Sequence, residues 1–417
     1  MSDKIIFHID VNSAFLSWHQ AYYRQIGRDE NLLEDYYAIG GNEKKRHGIV
    51  LAKSIPAKKM GVKTGQSLME ARQICPKLKV IPPRYDVYVK ASKKLRELLM
   101  SYTPLVEVFS IDECFMDMSG TSIIQKSVEK GAFFLKEKVK KEFGYTVNIG
   151  ISNCKLLAKQ ASEFEKPDKV HTLFPEEVPH KLWPLPVEEL FMVGNKTKIK
   201  LQRIGIETIE QLASCETSLL ETLMKSHGRL IQQYAKGIDD SIFVKKEGLP
   251  FKGIGNGSTI AFDVIDQETA RHILLSLVET ASARLREANL VCNVVSVGIK
   301  SSEFLNFGKQ RKLSFFTDVT QTLYQEAIQL FSEIWDGKPI RHFSVRFSNL
   351  EWSYRKQIHW FNSQIDYKME ALDPVIDRIR DKYGTYSVMR GCYVHSGLEP
   401  LLGGYPDDDY PDMSSLL

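Results

Sequence analysis

The sequence predicts a multidomain α+β protein, and three observations carry that prediction. Over the first 175 residues, short apolar segments of strand length alternate with segments of helical periodicity. A proline-rich stretch, PEEVPHKLWPLP at residues 175–186, then ends the strand signal, and a mixed pattern resumes near residue 258. At about 100–200 residues per domain, a chain of 417 residues is also too long for one ordinary core.

Taken in order, IIFHIDV reads as a short buried strand, and SAFLSWHQAYY as a helix with Ser13 near its cap. HGIVLAKS is a second strand, SLMEARQIC a helix, and PKLKVIPP a strand ended by two prolines. Helical spacing runs from Tyr85 to Tyr102, and VEVFSIDECFMDMSG gives two short strands joined at Asp112–Glu113. Residues 123–143 read as a helix with Phe133, Phe134, Leu135 and Val139 inside, followed by a strand in YTVNIGIS and a helix in KLLAKQASEF. The expectation is a sheet covered by helices on one face. Residues 187–246 are short helical pieces. From TIAFDV to HFSVRFSNL the order is β-α-β-β-α-β, with the Phe315 region as a middle strand, which is the pattern of a split βαβ sheet. One more helix covers roughly residues 370–383.

Bulk composition narrows the class. Apolar residues make up 43% and charged residues 26%, and no run approaches the ~18 apolar residues of a membrane span. MSDK leads directly into IIFHID without the features of a secretory signal, so a cytoplasmic protein with no membrane association is expected. Six widely separated cysteines, with no CxxC pair, read as reduced structural thiols. The net charge of +4 hides an asymmetry, because residues 396–417 carry Glu399, Asp407, Asp408, Asp409 and Asp412 and no Lys or Arg. Without those five negative charges the first 395 residues stand at +9, which fits a polyanionic partner, and the tail reads as disordered.

Two apolar segments deliver carboxylates where a strand should end: HIDVNSAF with Asp10, and SIDECFMDM with Asp112 and Glu113. Taken singly, each acid would be a cap or a surface ion-pair partner. Three at strand ends point instead to a bound cation, because a desolvated, unpaired carboxylate is costly. With the backbone carbonyl of Val11 they form an all-oxygen donor set suited to Mg2+. Two such ions would activate an attacking hydroxyl and stabilise a leaving oxygen in phosphoryl transfer. Asp112 and Glu113 would face opposite sides of an ideal strand, so a shared site demands a hairpin turn or bulge at that step.

HIDVNSAF, SIDECFMDMSG, PAKKMGVKTGQSLMEA and the run from VNIGIS to EFEKPDKV together resemble the catalytic core of Y-family DNA polymerases, in the polymerase IV and UmuC-like branch. The resemblance spans roughly residues 4–395 and implies a right-hand architecture. The palm would be residues 1–22 and 75–175, the fingers 23–74, and the helical thumb 176–246. A βαββαβ-like little finger with its following segment would occupy 247–395. Asp10, Asp112 and Glu113 match the family's catalytic metal ligands, with Val11 adding its carbonyl. Two Mg2+ ions are implied, with Mn2+ able to substitute. Phe15, five residues after Asp10, falls at the steric-gate position, where a ring excludes a 2′-hydroxyl. Leu51 falls where the family packs a residue over the templating base, and Lys58 and Lys166 match triphosphate contacts. The fingers depart from the family's pattern of a Tyr and an Arg three residues apart, since this chain has Ile55 and Lys58. Lysine replaces a planar fork by a mobile point charge, so the phosphate grip is expected to differ here.

The run LFMVGNKTKIKLQRIGIETIEQLA resembles a helix-hairpin-helix, in which Gly194, Lys196, Lys198 and Gly205 would bind a DNA phosphate without reading bases. Lys300, Lys309, Arg311, Lys312, Arg341 and Arg346 lie on or beside the last domain's strands, as expected of a sheet laid across duplex backbone. QIHWF resembles a sliding-clamp peptide, with Gln357, Trp360 and Phe361 as its anchors. The expected function is template-directed addition of dNTPs to a primer 3′-hydroxyl, in low-fidelity synthesis past damaged DNA. Primer-template DNA, dNTP and a sliding clamp are the expected partners of a monomer at the nucleoid. Two alternatives stand beside it: a catalytically silent DNA-binding accessory subunit, and a nucleotidyl cyclase with a similar palm.

Overall fold

The computed structural model describes residues 4–41, 48–243, 252–353, 364–394, 396–398 and 400–401. The acidic tail from residue 402 and the QIHWF segment lie outside the described residues.

The N-terminal half runs β1 (Ile6–Val11), α1 (Ala14–Gln25), β2 (Tyr37–Gly40), β3 (Val50–Lys53), α2 (Ile55–Lys59), α3 (Leu68–Ile74), β4 (Lys79–Ile81), α4 (Tyr85–Met100), β5 (Val106–Val108), β6 (Glu113–Asp117), α5 (Val128–Phe143), β7 (Val147–Ser152), α6 (Lys155–Glu163) and β8 (Val170–Thr172). Its main sheet has the order β5-β6-β1-β7-β8, with β1 at the centre and antiparallel to both neighbours. All six residues of β1 are buried. Side chains alternate across a strand, so Phe7, Ile9 and Val11 enter the core shared with Tyr88, Leu95, Leu99, Leu135 and Val139. Ile6, His8 and Asp10 point to the opposite face, and α6 covers it.

Helices therefore lie on both faces, not on one as the sequence pattern led us to expect. Gly150, the β7 partner of His8, shows why α6 comes so close. A Cβ there would lie 1.9 Å from the Ala158 carbonyl oxygen and 2.5 Å from the Ser162 nitrogen, so the helix rests on bare backbone. The expectation for residues 123–143 is corrected too. A short 3-10 turn at Ser122–Ile124 precedes α5, and Phe133 and Phe134 are 55% and 53% exposed. A helix buries one stripe, and here Ala132, Leu135 and Val139 occupy it.

A smaller sheet, β3-β2-β4, pairs β2 with β3 antiparallel and with β4 in parallel. The strand at Lys79–Ile81 thus belongs to the same sheet as Tyr37–Gly40, and a boundary drawn at residue 75 cuts through that unit. Ser54 accepts from the Ala57 amide to cap α2, and Ser67 and Glu70 form a capping box on α3. Ser13 takes the N-cap position of α1 in left-handed geometry (φ 48°) and makes no capping hydrogen bond.

Helix α7 (Val178–Lys181) lies within the proline-rich stretch, and with α8 (Asn195–Gln202), α9 (Ile209–Ser214), α10 (Thr217–Met224) and α11 (Ser226–Ala235) it packs around Leu182, Leu201, Leu212 and Ile231, a core shared with Leu157 and Ala161 of α6. The last unit contains β9 (Gly253–Val264), α12 (Gln267–Glu287), β10 (Leu290–Ser301), β11 (Asn306–Thr317), α13 (Thr320–Ile334) and β12 (Ile340–Trp352), in the predicted β-α-β-β-α-β order. Its sheet runs β11-β10-β12-β9, so each βαβ unit is split by an inserted antiparallel strand. Helices α12 and α13 cover one face. A final helix, α14 (Gln364–Tyr383), is tied to α12 where Arg286 meets Asp373 and Asp377. Among the described residues no helix is long and apolar enough to cross a membrane.

Gly150→Ala should displace α6 and lower unfolding stability by about 3 kcal/mol, measured by chemical denaturation. A native-like midpoint would show that the helix can move without cost.

Candidate active site

The register of the main sheet assembles the site. Asp10 faces Glu113 across β6 and Asn148 across β7, so both acids lie on the α6 side of adjacent strands. Glu163, the last residue of α6, completes the group: ligand oxygens from Asp10, Glu113 and Glu163 all lie within 4.8 Å of one another. Asp112 occupies the turn between β5 and β6, where the Phe109 and Ser110 amides both donate to the Glu113 carbonyl, at 3.0 and 3.2 Å. The chain thus turns at the step where a shared site required it to. Asp112 Oδ1 accepts from the Ser110 hydroxyl at 2.5 Å, and its carbonyl accepts from the Val11 amide at 3.1 Å. Its carboxylate stands beside the set of three and is not one of them.

Cations from α6 and the loop after it meet these acids. Lys166 Nζ donates to Asp10 Oδ2 and to Glu163 Oε1, both at 2.7 Å. Lys159 Nζ donates to Glu113 Oε2 at 2.6 Å. Asn148 holds the Lys166 loop in place: its amide donates to the Ser162 and Glu165 carbonyls at 3.0 and 2.7 Å and accepts from the Lys169 amide at 3.1 Å. Asp168 anchors the far side through Lys136 and Lys140.

The electrostatics follow from burial. Desolvation pushes the Asp10 carboxyl up to about 7, even with Lys166 beside it. Asp112 is raised as well, again by burial. Burial works to raise Glu113, yet the polar groups aimed at it, His8 and Lys159, hold it down at about 2. His8 itself, fully buried on β1, is pushed down to about 4 by desolvation. With all four acids ionised, as a bound cation would keep them, the two lysines leave two negative charges uncompensated. An all-carboxylate donor set with that deficit fits a hard divalent cation.

Sequence reasoning found Asp10, Asp112, Glu113 and Lys166 but missed Glu163, Lys159, His8 and Asn148. One signal was available: Lys155, Lys159 and Glu163 recur at i, i+4 on one face of α6. Phe15, at the start of α1, stacks on Tyr88 with centroids 4.5 Å apart and rings 10° from parallel, and Tyr85 meets its edge. Leu51 is half-buried on β3, while Ile55 and Lys58 are exposed on α2. Gly194 is the N-cap of α8, and Gly205 has a φ of +79° just beyond that helix. Lys196 is exposed, whereas Lys198 pairs with Glu188.

The basic residues of the last sheet divide by face. Lys300, Lys312 and Arg346 alternate with core residues and point away from the helices. Lys309 and Arg311 pair with Val297 and Val295, which are core residues, and so point to the α13 side. Lys309 bonds Glu333 there, and Arg311 bonds Glu326 and Glu333. These two thus face opposite to the sheet-across-DNA expectation, because on an edge strand the residues facing the core layer can still be charged. Arg341 lies over the Phe304 ring.

The His8 shift has a consequence for stability. A base whose folded pKa is depressed destabilises the fold as it is protonated. Its contribution is therefore complete above about 6.5 and is lost as pH falls toward about 4. Unfolding followed between pH 7 and 4 should show a loss of about 3 kcal/mol that His8→Gln lacks. Identical pH profiles for the two proteins would contradict this.

Comparison with known proteins places this site in context. Residues 9–163 match the model of the impB/mucB/samB family, and residues 251–359 match that family's C-terminal domain. The chain is 45% identical to DNA polymerase IV of Clostridium acetobutylicum, over 93% of this chain and 97% of that protein. It is 34% identical to DNA polymerase IV 1 of Bacillus subtilis, over 93% of each. Among solved structures, a Y-family DNA polymerase chimera superposes with a TM-score of 0.71 at 19% identity, over 84% of this chain and 99% of the chimera.

Proposed function

The chain belongs to the impB/mucB/samB family of Y-family DNA polymerases, and from that membership we propose how its residues carry out template-directed DNA synthesis and what it copies. The reaction joins a dNTP to a primer 3′-hydroxyl with release of pyrophosphate, and its setting is synthesis past damaged DNA. The single observation that carries the residue assignment is the cross-strand gathering of Asp10 and Glu113 on a buried sheet face, with a deficit of positive charge.

A divalent cation is the family's cofactor, and in our reading two Mg2+ ions serve here, with Mn2+ as a substitute. Asp10, Asp112, Glu113 and the Val11 carbonyl would hold them, with Glu163 within reach of the same position. When bound, such ions lower the pKa of the attacking hydroxyl and offset charge on the phosphates. The protein's own part is placement. Sheet pairing fixes the backbone at Asp10 and Glu113, so both carboxylates start from adjacent positions on neighbouring strands. Lys166 is held on Asp10 and Glu163 in the free protein and would move to the triphosphate when nucleotide brings its own negative charge. Lys58, exposed on α2, would supply the opposite grip, and the exposed Ile55 adds no hydrogen bond there.

Phe15 acts as the steric gate in this account, and its face-to-face seat on Tyr88 supports the role by denying the ring a route away from a 2′-hydroxyl. Leu51 would lie over the templating base. Gly194 and Lys196 would meet a phosphate at the α8 N-terminus, with Gly205 shaping the turn that follows and Lys198 in reserve on Glu188. Lys300, Lys312 and Arg346 would meet duplex backbone on the open face of the last sheet. Lys309, Arg311 and Arg341 would contribute only after leaving their present partners. The palm, fingers, thumb and little-finger divisions expected from sequence stand as a proposal, with β4 moved to the fingers. A monomer that meets a sliding clamp through Gln357, Trp360 and Phe361, at the nucleoid in the cytoplasm, completes the proposal.

Primer extension on an undamaged and an abasic template tests the reading. The native chain should extend both with Mg2+, while Asp10→Asn and Glu113→Gln should each lose about a thousandfold in kcat. Binding without extension by the native chain would favour the silent accessory subunit, and pyrophosphate release from ATP without DNA would favour the cyclase. Phe15→Ala should raise ribonucleotide incorporation by about 10- to 100-fold in the same assay. Unchanged sugar selection would remove Phe15 from the gate.

A further inference from the structure

We infer that Lys159 is a positioning residue for Glu113, an inference that rests on the polymerase reading above. Its ammonium donates to Glu113 Oε2 at 2.6 Å, and its side chain is only 11% exposed. A lysine has four rotatable bonds, and their freedom must be removed for it to hold anything in place. Two aromatic rings remove it. Lys159 Nζ lies 4.9 Å from the Phe109 centroid and 5.6 Å from that of Phe191, and the two rings meet each other at 6.1 Å. Phe191 in turn stacks on Tyr234 of α11.

His8 closes the other side. Its Nε2, fully buried and without a hydrogen-bond partner, is aimed at the same Glu113 oxygen from 3.5 Å. Its Nδ1 lies 2.8 Å from the Ser162 hydroxyl, which donates to the Lys159 carbonyl at 2.7 Å. Ring, helix turn and ammonium are thus one connected unit around one carboxylate oxygen. With Oε2 bonded by an ammonium that two rings hold in place, the Glu113 carboxylate is positioned before any cation or nucleotide arrives. Asp10 has no such arrangement, since its lysine comes from a loop and is shared with Glu163. The two cations differ in kind: Lys166 is placed to leave, and Lys159 is placed to stay.

The experiment uses the full chain with Lys159→Ala, and Lys159→Arg as the conservative variant. Lys159→Met, which keeps an apolar stem between the two rings, replaces the alanine variant if that fails to fold. Single-nucleotide insertion kinetics are read together with Mn2+ binding to the DNA-free protein by electron paramagnetic resonance. The alanine variant should lose about 10²-fold in kcat, the scale set by a misplaced group, while KM for dNTP and affinity for primer-template change by less than about twofold. Its Mn2+ affinity should hold or rise by about threefold, because a positive charge has left the neighbourhood. Arginine, or added methylammonium, should restore part of kcat. A native kcat in the alanine variant would overturn the assignment. So would Mn2+ or DNA binding that falls in step with kcat, or a loss that neither arginine nor methylammonium repairs. An inactive native chain would instead remove the polymerase reading itself, so the two failures are distinguishable.

Discussion

A carboxylate on a strand buried on both faces is the constraint on which this structure turns. Asp10 lies at the end of β1, in the middle of the main sheet, where water cannot solvate its charge. Positive charge must therefore be brought to it by the fold. Helix α6 and the loop behind it do this, and they reach Asp10 and Glu113 because Gly150 lets the helix lie directly on the sheet. Asn148, on the same strand as Gly150, pins the loop that carries Lys166. The two lysines still leave a deficit, and a divalent cation fits it. Burial that would be a liability in a merely structural sheet thus leaves a donor set suited to a divalent cation.

Much of this was legible in the sequence. Acidic residues directly after IIFHI and FSI stood out because such strands rarely carry them, and the need for a turn at Asp112–Glu113 followed from strand geometry alone. The β-α-β-β-α-β order was likewise readable from alternation and helical spacing. What stayed hidden depends on which elements pack together. Lys159 sits 46 residues from its partner Glu113, and His8 and Glu163 lie up to about 150 residues from theirs, so no local pattern announces such a meeting. The covering of both sheet faces was missed because a strand buried on two sides and one buried on a single side look alike over so short a run. Phe133 and Phe134 were misread because adjacency in sequence says nothing about which residues share a helical stripe.

The basic residues of the last sheet give the same lesson on a surface. Lys309 and Arg311 and their neighbour Lys312 look equivalent in sequence, yet strand alternation sends the first two to Glu326 and Glu333 on α13 and leaves Lys312 on the open face. Charge count overstates the surface available to a polyanion, and register corrects it. Ile55 and Lys58 are exposed on α2, whereas the ion-paired groups of the site gather around Asp10 and Glu113 on the main sheet.

The central claim is that the buried acids await a cation and that Lys166 is exchanged for it. Anomalous scattering from a crystal of the protein with primer-template, Mn2+ and a non-hydrolysable dNTP tests this most directly. The account predicts Mn2+ density between Asp10 and Glu113, with Lys166 drawn from Asp10 onto the triphosphate. Lys166 still bonded to Asp10, with no Mn2+ between the carboxylates of a complex that holds nucleotide, would contradict it.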